Sequence, residues 1–165
     1  MKPPEISAAL PEHLPAVLQL LEDAQLPTSG VADHFHNFFV ALRRHSVVGS
    51  IGFEQYGDVA LIRSAAVVPV EQKSGIGGML LKASMKSAAD LGVRQLVLLT
   101  TTAELYFSKK GFVRIDRREI TGPITASAEF TGACPASAVC MTMKLQQPEL
   151  RTAENSGVQV RRVLS

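Results

Sequence analysis

The sequence predicts an α/β fold: one mixed sheet of about six to seven strands with helices on both faces. Three observations carry this expectation. FFVALR and RHSVVGSIGFE read as strands around a polar turn, and Gly57-Asp58 marks a second hairpin before VALIRSAAVV. A glycine-containing loop then leads into helix-forming residues and back to a buried-type strand, RQLVLLTTT, and two further strand-like runs, FVRID and SAVCMTMKL, close the pattern. Hairpins give antiparallel neighbours and a strand-helix-strand crossover gives a parallel pair, so one sheet must hold both kinds.

The elements follow in order. EISAA (5–9) reads as a short first strand, and PEHLPAVLQLLEDAQL places Leu14, Val17, Leu18 and Leu21 at helical spacing in a helix that should end before Pro27. LPTSG is a loop by composition, and ADHFHN suits one short helix. The strand VALIRSAAVV is broken by Pro69; an amphipathic helix runs from Gly75 to about Leu91 and is closed by Gly92. AELYFSKKGF gives a further short helix with Gly111 just past its end. Residues 1–146 form the expected domain, and 147–165, which lack an amphipathic period, the expected flexible tail.

At 165 residues the chain has room for one domain with a genuine core. Apolar residues make up 46% and charged residues 19%, a globular rather than a disordered composition. A formal charge of +2 without a Lys/Arg stripe argues against nucleic acid and is compatible with a small anionic ligand. MKPPEIS lacks the apolar core of a secretory leader, and no run approaches the roughly 20 apolar residues of a bilayer span, so the expectation is a cytoplasmic protein without a membrane partner. Two cysteines, Cys134 and Cys140, are too few for a disulfide scaffold. His34 and His36 face different ways if helical and have no suitably spaced third ligand, so no metal is expected.

The loop VVPVEQKSGIGGMLLKA (67–83) carries the chemistry. Unpaired amides at a helix start bind anions, and glycines let a phosphate approach them. No Gly-Lys-Ser/Thr closes a Walker loop, and Leu80 stands where a dinucleotide fingerprint needs its third glycine. What remains is Q-x-x-G-x-G, on Gln72, Gly75 and Gly77, after V-x-P at a strand end.

This resembles the coenzyme A loop of the GCN5-related N-acetyltransferases (GNAT). The downstream A-x-x-F-Y-x-x-x-G-F element of that family is matched by Ala103, Tyr106, Phe107, Gly111 and Phe112. The resemblance implies strands 61–68 and LVLLT splayed into a cleft for acetyl-CoA. It places the diphosphate on the amides of Gln72, Lys73, Ser74, Gly75, Ile76 and Gly77, beside Gly78. The pantetheine would run along the backbone of Ala66, Val67 and Val68, where an amide at Val67 or Val68 polarises the thioester carbonyl. Thr100 and Phe107 complete the implied cofactor contacts. Dimers through the last strands are frequent in the family; the sequence leaves the oligomeric state open.

The usual acid and base are displaced. Counted back from Gly111, the family's Tyr position is Phe107 and Tyr106 stands one before it; the family's early-strand carboxylate position is Leu61. Adjacent helical residues point about 100° apart, so Tyr106 does not simply replace the acid. Glu54, on a neighbouring strand, is the leading base candidate, and Tyr106 the remaining acid candidate. Arg63 and Ser64 are candidates for the substrate, Arg63 clamping an anion, pairing with Glu54 or ending the strand in solvent. CPASAVCM, LPTSG with Thr28 and Ser29, LIRSAAV and LLTTTAELYF are similar to the ArsN-type arsenic-resistance acetyltransferases. That narrower resemblance implies a small amino-bearing acceptor, such as an amino-acid-like arsenical or phosphinate. Two other readings stay open: a non-catalytic acyl-CoA sensor, and arsenite binding by the two thiols.

Overall fold

The computed structural model describes residues 2–146; the expected tail, 147–165, lies outside the described residues. In chain order the elements are β1 (Glu5–Ala8), α1 (Leu14–Asp23), β2 (Phe38–Arg43), β3 (Ser46–Tyr56) and β4 (Val59–Val67), then α2 (Ile76–Asp90), β5 (Gln95–Thr100), α3 (Glu104–Lys109), β6 (Val113–Arg114) and β7 (Val139–Lys144). The seven strands form one sheet in the order β1-β2-β3-β4-β5-β7-β6. The mixed sheet with helices on both faces is thus present with the expected element order. Several boundaries shrink: β1 ends at Ala8, β4, β5 and β7 lose one to three residues of their expected runs, and the strand expected over FVRID keeps only Val113 and Arg114. Beyond it the Asp116 side chain accepts from the Arg118 N–H and turns the chain away.

Turn chemistry sets the register of β1 to β4. Arg44 and His45 both hold positive φ (51° and 70°), the pair a two-residue hairpin loop requires, and Gly57 at φ 67° starts the next turn. All three pairings of β1 to β4 are antiparallel. β4 and β5 are parallel and paired only at Val59–Gln95, Ala60–Leu96 and Leu61–Val97. β5 then pairs with β7 along its whole length.

Strand alternation sorts side chains to two faces. Ile51, Phe53, Ala60 and Ile62 pack against Ile76, Leu80, Leu81 and Ala88 of α2, and Phe107 of α3 joins this cluster. On the other face, Val17 and Leu21 of α1 meet Phe38, Val40 and Phe35. Leu61, Val97 and Cys140 lie under Ile120 and Ile124, from turns over 117–133 for which the sequence carries no periodic pattern. No helix among the described residues is long and apolar enough to cross a membrane.

Gly52 faces Phe38 across the β2-β3 ladder, and a Cβ there would lie 2.3 Å from the ring. Gly52→Ala should therefore cost about 1–3 kcal/mol by overpacking, read from urea unfolding at constant m-value.

Candidate active site

The parting of β4 from β5 after Leu61 opens a cleft of about 970 Å³. One wall carries Arg63, Ser64, Ala66 and Val67; the opposite wall carries Leu99, Thr100, Tyr106 and Phe107. Midway along β4 the ladder slips between Ser50 and Gly52, and Ser64 adopts φ 60°, a bulge that turns the strand beside the cleft. Ser50 Oγ donates to the Ser64 carbonyl (2.9 Å) and secures the bulge. The Val68 N–H donates to the Val48 carbonyl on β3 (2.9 Å), so its amide is taken. By alternation the Val67 amide faces the other edge, toward the cleft.

At one end of the cleft lies the glycine loop. Lys73 (φ 66°) and Gly75 (φ 91°) both hold left-handed backbone, which swings the chain directly into α2. The first backbone bond into the new helix is Met79 N–H to Gly75 carbonyl (3.1 Å), leaving the amides of Ile76, Gly77 and Gly78 with no carbonyl a turn upstream. The loop is braced from both sides. The Gln72 side-chain Nε2 donates to the Val67 carbonyl (2.9 Å) while its main-chain N–H, expected to meet the diphosphate, is taken by the Pro69 carbonyl (3.2 Å); Ser74 Oγ donates to the Glu71 carbonyl, and Glu71 takes two bonds from Arg43 of β2 (2.6 and 3.1 Å). Orphan amides, a positive helix end and the nearby lining residues Lys73 and Lys110 suit a diphosphate. Gly77 is also where the walls meet: a Cβ there would stand 3.1 Å from the Tyr106 hydroxyl. Lys110 Nζ lies 5.4 Å from the Tyr106 ring centroid.

The other end holds a buried charged cluster. Arg63 Nη1 donates to Glu54 Oε2 (2.6 Å), Nη2 to the Pro27 carbonyl (3.3 Å) and Nε to Ser64 Oγ (3.0 Å), with Nε also 3.4 Å from Glu129 Oε2. Of the alternatives for Arg63, the pair with Glu54 is formed, and at 3% exposure the residue is no solvated strand end. Glu54 is 1% exposed, accepts from the Tyr56 hydroxyl, and does not line the cleft. Burial pushes its carboxyl up, but hydrogen bonds from Tyr56, Ser127 and Arg63 and the Arg63 charge outweigh this and hold it below the usual value. Tyr56 is pushed up to about 12, by burial and then by Glu54.

Glu129 differs. It lines the cleft, and burial pushes its carboxyl up despite the Arg63 charge and the Cys134 thiol bond. Cys134, beside it, is pushed up to about 12 by burial and by the Glu129 carboxylate, and it lines the cleft; Cys140 is buried in β7 opposite Leu99.

The lining includes Ala66, Val67, Gln72, Lys73, Gly75, Gly77, Gly78, Thr100, Tyr106, Phe107, Arg63 and Ser64. It does not include Val68, Ser74 or Ile76, the last of these packed in the core, nor Thr28 and Ser29, which adjoin the lining residue Pro27. Thr100 Oγ1 accepts from the Ala103 N–H (3.0 Å) at the start of α3. His34 approaches Glu54 (3.8 Å) while His36 is exposed. Among the described residues no group of three or more His, Cys, Asp or Glu is placed to hold a metal ion. Glu129 and Lys110 carry no motif in the sequence, although Glu129 is the one charged residue between Ile120 and Met143.

Residues 34–114 match the family model described as the acetyltransferase (GNAT) domain. Solved structures agree in fold. N-acetylglutamate synthase from Neisseria gonorrhoeae, complexed with coenzyme A and N-acetyl-glutamate, superposes with a TM-score of 0.75 at 19% identity, covering 88% of this chain and 36% of that one. This chain therefore spans about a third of that enzyme's length. Rv2747 from Mycobacterium tuberculosis, solved with CoA, gives 0.74 at 22% identity over 87% of this chain and 100% of that one. A GNAT-family acetyltransferase from Staphylococcus aureus gives 0.72 at 15% identity over 87% and 99%. No curated protein matches the sequence. The family model thus covers 81 of the 165 residues, and the solved structures show that the described residues form a single α/β domain of GNAT-like fold.

Removing Arg63 strands Glu54 without its charge partner, so Arg63→Met should destabilise by about 3–5 kcal/mol in urea unfolding. The depressed Glu54 carboxyl contributes stability that is complete above its unfolded value of 4.5 and disappears as pH falls through the lower folded value. Glu54→Gln should flatten that acid-side loss in unfolding curves taken between about pH 3 and 7.

Proposed function

We propose that the protein moves an acetyl group from acetyl-CoA to the amine of a small molecule, by direct attack within a ternary complex. The observation that carries this reading is the cleft itself: two strands part, and the opening leads to the unpaired amides of an α-helix. The diphosphate lies on the amides between Gln72 and Gly78, where anions are favoured. The pantetheine lies along Ala66 and Val67, and the free Val67 amide donates to the thioester carbonyl as negative charge develops on it. Holding amine and thioester together removes much of the entropic barrier, and a thiol with pKa near 8.5 leaves tolerably as thiolate.

Tyr106 belongs, in this reading, to the cofactor wall. Its hydroxyl sits over Gly77 at the diphosphate end, away from the sulfur. Phe107, buried against Phe112, fills the position that the family's Tyr takes. Thr28, Ser29 and Ser64 border the acceptor end. The resemblance of CPASAVCM and LIRSAAV to ArsN-type enzymes supports an amino-acid-like arsenical or phosphinate as the acceptor, and a cytoplasmic setting.

Calorimetry with acetyl-CoA tests the reading directly. Wild-type protein should bind; Gly75→Val, which forces a β-branched residue to φ 91°, should weaken binding at least tenfold, about 1.4 kcal/mol. No heat of association with wild type would overturn the function. Tight binding with no turnover on any amine would favour the sensor.

A further inference from the structure

We propose that Glu129 is the catalytic base of this site, taking the proton from the attacking amine, with Arg63 as its positioning residue. This rests on the acetyl-transfer reading above. A base must reach the acceptor, and of the two carboxylates flanking Arg63 only Glu129 lines the cleft; Glu54 lies behind the guanidinium, bonded to it and to Tyr56. The segment that carries Glu129 is shaped to deliver it. The Glu129 N–H donates to Ser127 Oγ (3.2 Å), and Gly132 at φ 136° breaks the turn so that Ala133, Cys134 and Pro135 continue along the same wall.

The groups facing Glu129 are Arg63 from β4, Glu54 from β3 behind it, and Cys134 on its own segment. His34 and Tyr56 lie beyond, on the far side of Glu54. Neighbouring carboxyls whose surroundings push them in opposite directions divide acid-base work; both are buried here, but the one that lines the cleft is raised while the one behind Arg63 is lowered. Arg63 holds the Glu129 carboxylate in place through its Nε edge while Glu54 balances its charge.

The step balances without another reactant. The amine nitrogen attacks the acetyl carbon, the C–N bond forms, and the amine proton passes to the Glu129 carboxylate. The C–S bond then breaks with its electron pair on sulfur, and Glu129 returns the proton to the CoA thiolate.

The test follows CoA release from acetyl-CoA with n-butylamine and benzylamine as acceptors, across pH, with acetyl-CoA affinity measured in parallel by calorimetry. Wild type should turn over faster as pH rises through the Glu129 titration. Glu129→Gln should lose about 10²- to 10⁴-fold in rate and lose that limb, with acetyl-CoA affinity unchanged. Cys134→Ala removes the neighbouring thiol that lowers the Glu129 value, so its limb should move to higher pH. A Glu129→Gln enzyme with wild-type rate and pH profile would overturn the assignment, as would an unmoved limb in Cys134→Ala; a wild type that binds acetyl-CoA without acetylating either amine would favour the sensor. Failure of wild type to bind acetyl-CoA would strike the underlying function instead.

Discussion

The rest of the site depends on how little of β4 and β5 is paired. Three residue pairs join them, and beyond Leu61 and Val97 the strands diverge. A sheet cannot leave main-chain donors and acceptors in its interior without a partner. The protein satisfies part of the gap itself, with the Gln72 side chain on the Val67 carbonyl, and leaves the rest as a slot suited to an extended, amide-bearing ligand. Everything else serves to hold that slot open: the Ser64 bulge turns β4, α2 backs one wall through Ile76 and Leu80, and Phe107 backs the other.

The two ends of the slot solve opposite electrostatic problems. At the glycine loop, backbone amides and lysines create a place for negative charge without any buried ion. At the far end, one guanidinium is enclosed between two carboxylates, an arrangement that is costly to bury and tolerable only because each nitrogen of Arg63 has an oxygen partner. Positive character thus collects at the glycine loop, and carboxylates with one enclosed guanidinium collect at the opposite end.

Much of this was legible in the sequence because it is periodic or punctuated. Alternating apolar runs marked the strands, Leu14 to Leu21 marked α1, and Gly75 and Gly92 bounded α2. The glycine motif pointed to one wall of the cleft. The turns over 117–133 were not legible, since short turns follow local capping such as Asp116 and not a repeating apolar face. Glu129 hid there. The pairing of Arg63 with Glu54 was open until register showed them on adjacent strands, Glu54 opposite Leu61 and Arg63 opposite Gly52.

The strand order carries a consequence for biogenesis. β7 is the last of the described strands yet lies between β5 and β6, so the second wall of the slot has a bare main-chain edge until residues 139–144 have left the ribosome. Such an edge invites pairing with foreign strands. The nascent chain is therefore most prone to misassociate before residues 139–144 emerge, when α2 and the first four strands can already be packed and β7 is missing.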